Sequence, residues 1–175
     1  EYNGRWQELE IDALRLIEEY QSARRDINPD IPSIPIGRER ETVIKQRTNQ
    51  YLFRNMVLSA YNNSCCITGL ARQELVEACH IINWSDDNQN RLNPCNGLAM
   101  NTLFHKAYDK YYLGITPDYT VVISDRLYDG LSNDGKDRTY GLFNPYNKVR
   151  IIMPRKFKPD NALLEKKFYL FNQYN

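Results

Sequence analysis

The chain has 175 residues, of which 42% are hydrophobic and 26% charged, a balance that suits one soluble globular domain with a sizeable core and an appended helical arm. It holds no apolar stretch long enough to span a bilayer as a helix. A formal net charge of +1 excludes a strongly basic chain, so any contact with nucleic acid must come from local clusters of charge and not from the sum.

Residues 5–20 carry apolar side chains at Trp6, Leu9, Ala13, Leu16, Ile17 and Tyr20 with acids between them, which predicts an amphipathic helix. Pro29, Pro32 and Pro35 then mark an extended linker. The chain therefore divides into residues 1–36, a helix and linker, and residues 37–175, the domain that carries the chemistry. A basic run follows at Arg38, Arg40, Lys45, Arg47 and Arg54, diluted by Glu39 and Glu41. Helical spacing resumes over residues 47–62 through Leu52, Phe53, Met56, Val57 and Ala60, placing Arg47 and Arg54 on the polar side as candidate phosphate contacts.

The next stretch is the most informative. The chain has two histidines, and both fall here, His80 at a strand end and His105 on a helix, with Asn96 in a loop between them. Hydrolysis of a phosphodiester needs a base to deprotonate water and a cation to stabilise charge on the phosphorane and the leaving oxygen. A neutral imidazole suits the first task. His105 and Asp109, spaced i and i+4, share a helix face and suit the second. The opposite face, with Leu103, Phe104, Ala107, Tyr108 and Tyr111, is expected to pack. The Asn96 amide is expected to hydrogen-bond backbone across the loop and hold the His80 strand at a fixed distance from the helix.

Beyond the helix, residues 119–124 read as a strand, residues 125–148 as a long loop with Lys136, Arg138 and Tyr140 available to a nucleic-acid backbone, and residues 149–153 as another strand. A second basic cluster lies at Arg155, Lys156 and Lys158, and a last helix starts after Pro159 with Leu163, Leu164, Phe168 and Leu170 on its apolar face.

Several of these motifs occur in a known order. RTNQYLFR at residues 47–54, Tyr61, CCITG at 65–69, ACHI at 78–81, NPCNGL at 93–98 and HKAYD at 105–109 together resemble the HNH endonuclease superfamily over about two thirds of the chain. The resemblance implies an α+β fold in which a ββα-metal finger is embedded among flanking helices and extra strands. It also implies a metal-dependent endonuclease acting on DNA, with His80 as general base, Asn96 as positioning residue and His105 as ligand to one divalent ion, magnesium, manganese, nickel or zinc. Asp109 joins His105 as a candidate ligand. Arg91, in the loop between the finger strands, is the candidate phosphate clamp, because a guanidinium fork matches phosphate geometry.

Two departures stand out. Many relatives have Asp or His immediately before the base, where this chain has Cys79. A thiolate suits zinc better than magnesium, so Cys79 is a further candidate ligand. Relatives often hold a structural zinc through paired CxxC motifs, and this chain has none, so the surrounding protein is expected to brace the finger. The four cysteines are expected to be free thiols of a reduced, cytoplasmic protein. A first residue of Glu fits a piece of a longer chain, and a homodimer or an additional domain would complete a double-strand cut. Two rival readings are a zinc-stabilised binding module using Cys66, Cys79, Cys95 and His105, and a catalytically inactive HNH scaffold that binds nucleic acid or protein.

Overall fold

In the computed structural model the described residues are 8, 11, 12, 15, 16 and 38–175, with side chains of the long first helix described from residue 49 onward. The early positions are helical, with Ile11 and Leu16 exposed. The remainder of the expected arm and the proline-containing linker lie outside the described residues.

Helix α1, Arg38–Ala60, begins well before the stretch expected from apolar spacing, because the run from Arg38 to Lys45 contains no glycine or proline to stop it. It buries Phe53, Val57, Leu58 and Ala60. It ends where Asn62 and Asn63 turn left-handed, with φ of 56° and 55°, and the Asn63 N–H returns to the Leu58 carbonyl at 2.8 Å. Asparagine is among the few residues other than glycine that tolerate this conformation. The CCITG segment then forms a tight turn closed by the Gly69 N–H on the Cys65 carbonyl at 2.9 Å.

Strands β1, Val76–His80, and β2, Gly97–Asn101, pair antiparallel, with His80 opposite Gly97 and Cys79 opposite Leu98. Helix α2, Thr102–Asp109, leaves β2 directly. Its N-terminus is capped by the Asn101 side chain, which accepts from the Phe104 N–H at 3.0 Å. These three elements are the expected ββα order. Of the expected packing face, Phe104, Ala107 and Tyr108 are buried, whereas Leu103 is 50% exposed. Leu103 precedes the i, i+3, i+4 stripe formed by 104, 107 and 108, so it points away from the core.

Glycine at 97 is required by packing. A Cβ there would stand 2.3 Å from Val57 Cγ2 and 3.0 Å from the Phe53 ring, so α1 can press against β2 only because no side chain intervenes. This close approach carries Phe53 beneath His80.

A second antiparallel pair, β3 (Leu113–Ile115) and β4 (Val121–Ile123), follows α2. The expected strand at residues 119–124 is thus shorter. Two other expectations are corrected. Residues 125–148 are not a loop: they hold helix α3, Asn133–Phe143, capped by Ser132, between two short 3-10 turns. Residues 149–153 form only an isolated bridge, Thr120 to Arg150. The segment cannot extend the sheet because it changes partner, the Ile151 N–H bonding Tyr119 and the Ile152 N–H bonding Cys66.

Helix α4, Asn161–Tyr174, starts after Pro159 as expected, with Asp160 accepting from the Ala162 and Leu163 N–H groups. It buries Leu164, Phe171 and, unexpectedly, Lys167. Gly114 lets it lie against β3, since a Cβ there would be 2.9 Å from the Phe171 ring. The domain is α+β, with the finger held between α1 and the C-terminal elements. No helix among the described residues is long and apolar enough to cross a membrane.

Candidate active site

His80 ends β1 and His105 stands on the first turns of α2, and the two line one cleft of about 320 Å³ together with Gln50, Arg54, Glu77 and Trp84. Their surroundings differ in kind. His80 lies flat on Phe53, ring centroids 3.6 Å apart and planes 8° from parallel. Trp84 meets it edge-on at 5.8 Å. Burial in this apolar setting pushes its pKa below the ordinary 6.5, an effect only partly offset by the carbonyl it contacts.

That carbonyl belongs to Arg91, 3.0 Å from His80 Nε2. A carbonyl can only accept, so the hydrogen of the neutral ring sits on Nε2 and the lone pair on Nδ1. The fold thereby leaves Nδ1 as the accepting nitrogen of the neutral ring.

The carbonyl is held in place by the loop of residues 81–96, and Asn96 is the clip that closes it. Asn96 is 1% exposed. Its Oδ1 accepts from the Ile82 N–H at 2.9 Å, and its Nδ2 donates to the Ile82 and Asn90 carbonyls at 3.0 and 3.1 Å. Its backbone carbonyl accepts from the Ile81 N–H at 2.8 Å. All three hydrogen-bonding directions of the amide that face the loop are used, which only an amide could satisfy. Asn93 supports the same turn by accepting from the Cys95 N–H.

Glu77 was not anticipated from the sequence. It lies on the same face of β1 as Cys79, two residues away, and its Oε2 is 2.6 Å from His105 Nδ1. An ionised carboxylate only accepts, so His105 Nδ1 carries a hydrogen and Nε2 is the nitrogen turned toward Asp109. Nε2 is 3.5 Å from Asp109 Oδ2. The two histidines are therefore anchored through opposite ring nitrogens.

Cys79, His105 and Asp109 each offer a ligand atom, all within 4.8 Å of one another. Ligands around a tetrahedral ion stand roughly 3.5 Å apart, so small side-chain adjustments bring the three to bonding distance. A thiol, an imidazole and a carboxylate form a donor set for a borderline ion, and the Glu77 bond to the far nitrogen of His105 is the support such a ligand ordinarily has. Residues and ion fit. Cys79 is fully buried. Burial, reinforced by the Asp109 charge, pushes its thiol well above the ordinary range, so binding through sulfur must expel a proton. Cys66 and Cys95 do not join this cluster, so the Cys3His arrangement considered above is not formed among the described residues. All four cysteines are free.

The arginines divide. Arg91 Nε donates to the Trp84 carbonyl at 2.9 Å and its guanidinium lies 5.2 Å over the Trp84 ring. The Arg91 side chain is thus fixed beside the cleft. Arg54, a candidate phosphate contact, reaches across to β1, Nη2 donating to the Val76 carbonyl at 3.0 Å, and lines the cleft. The side chain of Arg47 lies outside the described residues. Arg138, on α3, pairs with Asp134, and Arg155 and Lys156 line a separate cavity beside α1.

Lys167 also escaped the sequence reading. Though only 4% exposed, its Nζ lies 5.1 Å over Tyr108 and 4.7 Å over Tyr111, the two aromatics that flank Asp109. Burial lowers its pKa, while the nearby Asp109 carboxylate acts in the opposite direction. It ties α4 to the ion-side helix.

A search of curated proteins finds no match to this chain. The family model described as HNH endonuclease matches residues 65–116, the span that contains the CCITG turn, both finger strands, the Asn96 clip and α2. Over those residues, the chain is similar to the HNH endonucleases.

Proposed function

We propose that the protein is a metal-dependent endonuclease that hydrolyses DNA phosphodiester bonds. The observation that carries this reading is a pair of imidazoles in one cleft anchored through opposite nitrogens, His80 Nε2 on the Arg91 carbonyl and His105 Nδ1 on Glu77 Oε2, which leaves His80 Nδ1 for a proton and His105 Nε2 for an ion. In the reaction, water attacks phosphorus as His80 Nδ1 takes its proton, and the bond to the leaving oxygen breaks. The lowered His80 pKa keeps the ring unprotonated at neutral pH. Asn96 keeps the Arg91 carbonyl on Nε2, so the ring cannot turn its lone pair away. Arg91 and Arg54 border the cleft and supply positive charge for the phosphate. A divalent ion held by Cys79, His105 and Asp109 would stabilise the charge developing on the phosphorane and leaving oxygen. The thiol favours zinc or nickel over magnesium or manganese. One finger cuts one strand, so a double-strand break requires a second copy or a second event.

Nicking of supercoiled plasmid by the purified chain with magnesium, manganese, nickel, zinc or EDTA tests this reading. Nicking that EDTA abolishes is expected. A folded protein that binds DNA yet cuts with no ion would replace it with the inactive-scaffold reading.

A further inference from the structure

The cleft has a third wall that the hydrolytic step does not use. Trp84 lines it beside both histidines and Arg54. Arg91 holds the indole from one side, packed over the ring and bonded through Nε to the Trp84 carbonyl. The indole stands nearly perpendicular to His80, planes 83° apart and centroids 5.8 Å from each other. A fixed indole beside the hydrolytic base, backed by a guanidinium, has the composition of a stacking platform for a nucleobase. Gln50, exposed at the rim, offers an amide that both donates and accepts, the chemistry that reads a base edge.

Size limits what can stack there. A cleft of about 320 Å³ is at the small end of sites that enclose one drug-sized ligand, which corresponds to a single nucleotide. A base within a duplex is covered on both faces by its neighbours and reaches such a site only after unstacking, which costs a few kcal/mol and least where the strand is already unpaired.

We infer that the cleft receives one unstacked nucleotide next to the scissile phosphate, its base on Trp84, and that single-stranded or locally unpaired DNA is the preferred substrate. This rests on the nuclease reading for the role of the neighbouring histidines, but the stacking itself does not require cutting.

The test uses fluorescence. Tryptophan occurs at Trp6 and Trp84, so the full chain carrying Trp6→Phe reports on Trp84 alone. It is titrated in EDTA with a single-stranded oligonucleotide and with the duplex of the same sequence. Saturable quenching by the single strand at a concentration at least about tenfold below that needed for duplex is expected. In cleavage of the single strand, Trp84→Ala should lower kcat/KM roughly 5- to 150-fold, the equivalent of one lost base stack, and Trp84→Phe should restore part of it. Equal quenching by duplex, or no quenching, overturns the inference. Quenching by the single strand without cutting under any ion would overturn the nuclease reading and leave this one standing, whereas plasmid nicking without quenching would do the reverse.

Discussion

The two sides of the cleft use the same residue type for opposite ends. On the base side His80 is stacked on Phe53, desolvated, and bonded to a backbone carbonyl that a closed loop holds in place. On the ion side His105 lies between two carboxylates, Glu77 at one nitrogen and Asp109 at the other. Imidazole chemistry is identical in both. What differs is which nitrogen the protein occupies, and on the proposed mechanism that separates the ring that takes a proton from the ring that holds a cation.

The comparison can be broken one side at a time. The largest effect is expected from Asn96→Asp. Aspartate keeps the acceptor for the Ile82 N–H but turns a second oxygen toward the Ile82 and Asn90 carbonyls, stranding them at about 1–3 kcal/mol each. Chemical denaturation should show that loss, and nicking should fall with it while ion affinity measured on the folded fraction is kept. Glu77→Gln acts on the other side. It leaves His105 without its carboxylate partner, and equilibrium dialysis should show ion affinity weakened about 10- to 100-fold. An unchanged affinity would mean that Glu77 does not orient the ligand.

Cys79 sharpens the ion side further. Its thiol is held protonated by burial, so if sulfur binds the ion, affinity should rise about tenfold per pH unit as pH increases below the thiol pKa. Cys79→Ser should flatten that slope, and a slope shared by both proteins would leave the ion to His105 and Asp109. The smallest effect belongs to the base side. On the proposed mechanism the neutral His80 ring is the active form, and burial lowers its pKa, so protonation sets in only below the ordinary 6.5; a nearby cation acts in the same direction. The acid limb of kcat/KM should therefore fall below pH 6.5, and a limb above that value would show His80 to be an ordinary exposed histidine.

Much of the base side was legible in the sequence, because its parts are side chains in motifs. His80, Asn96 and the Asn-Gly step appear as letters at fixed spacing, and the i, i+4 pair of His105 and Asp109 follows from helix geometry alone. What sequence hid were contacts made by backbone or across elements. The Arg91 carbonyl that sets the His80 tautomer has no letter. Glu77 meets His105 only once β1 lies against α2, although its alternation with Cys79 on β1 was a usable signal. Lys167 was hidden by the general rule that lysines face water, and two tyrosine rings overturn that rule here. In the 125–148 stretch, Gly130, Gly135 and Gly141 suggested a loop. Ser132 capping α3 was the contrary sign, outweighed by composition.

The division of labour between the histidines is tested most directly by measuring ion affinity and nicking side by side for His80→Ala and His105→Ala. His80→Ala is expected to bind the ion as tightly as the unaltered chain and to lose about 10²- to 10⁴-fold in rate, while His105→Ala loses ion affinity first and recovers some nicking at high ion concentration. If His80→Ala cuts normally, or if both variants lose ion binding alike, the two sides are not separate and the assignment of base and ligand is wrong.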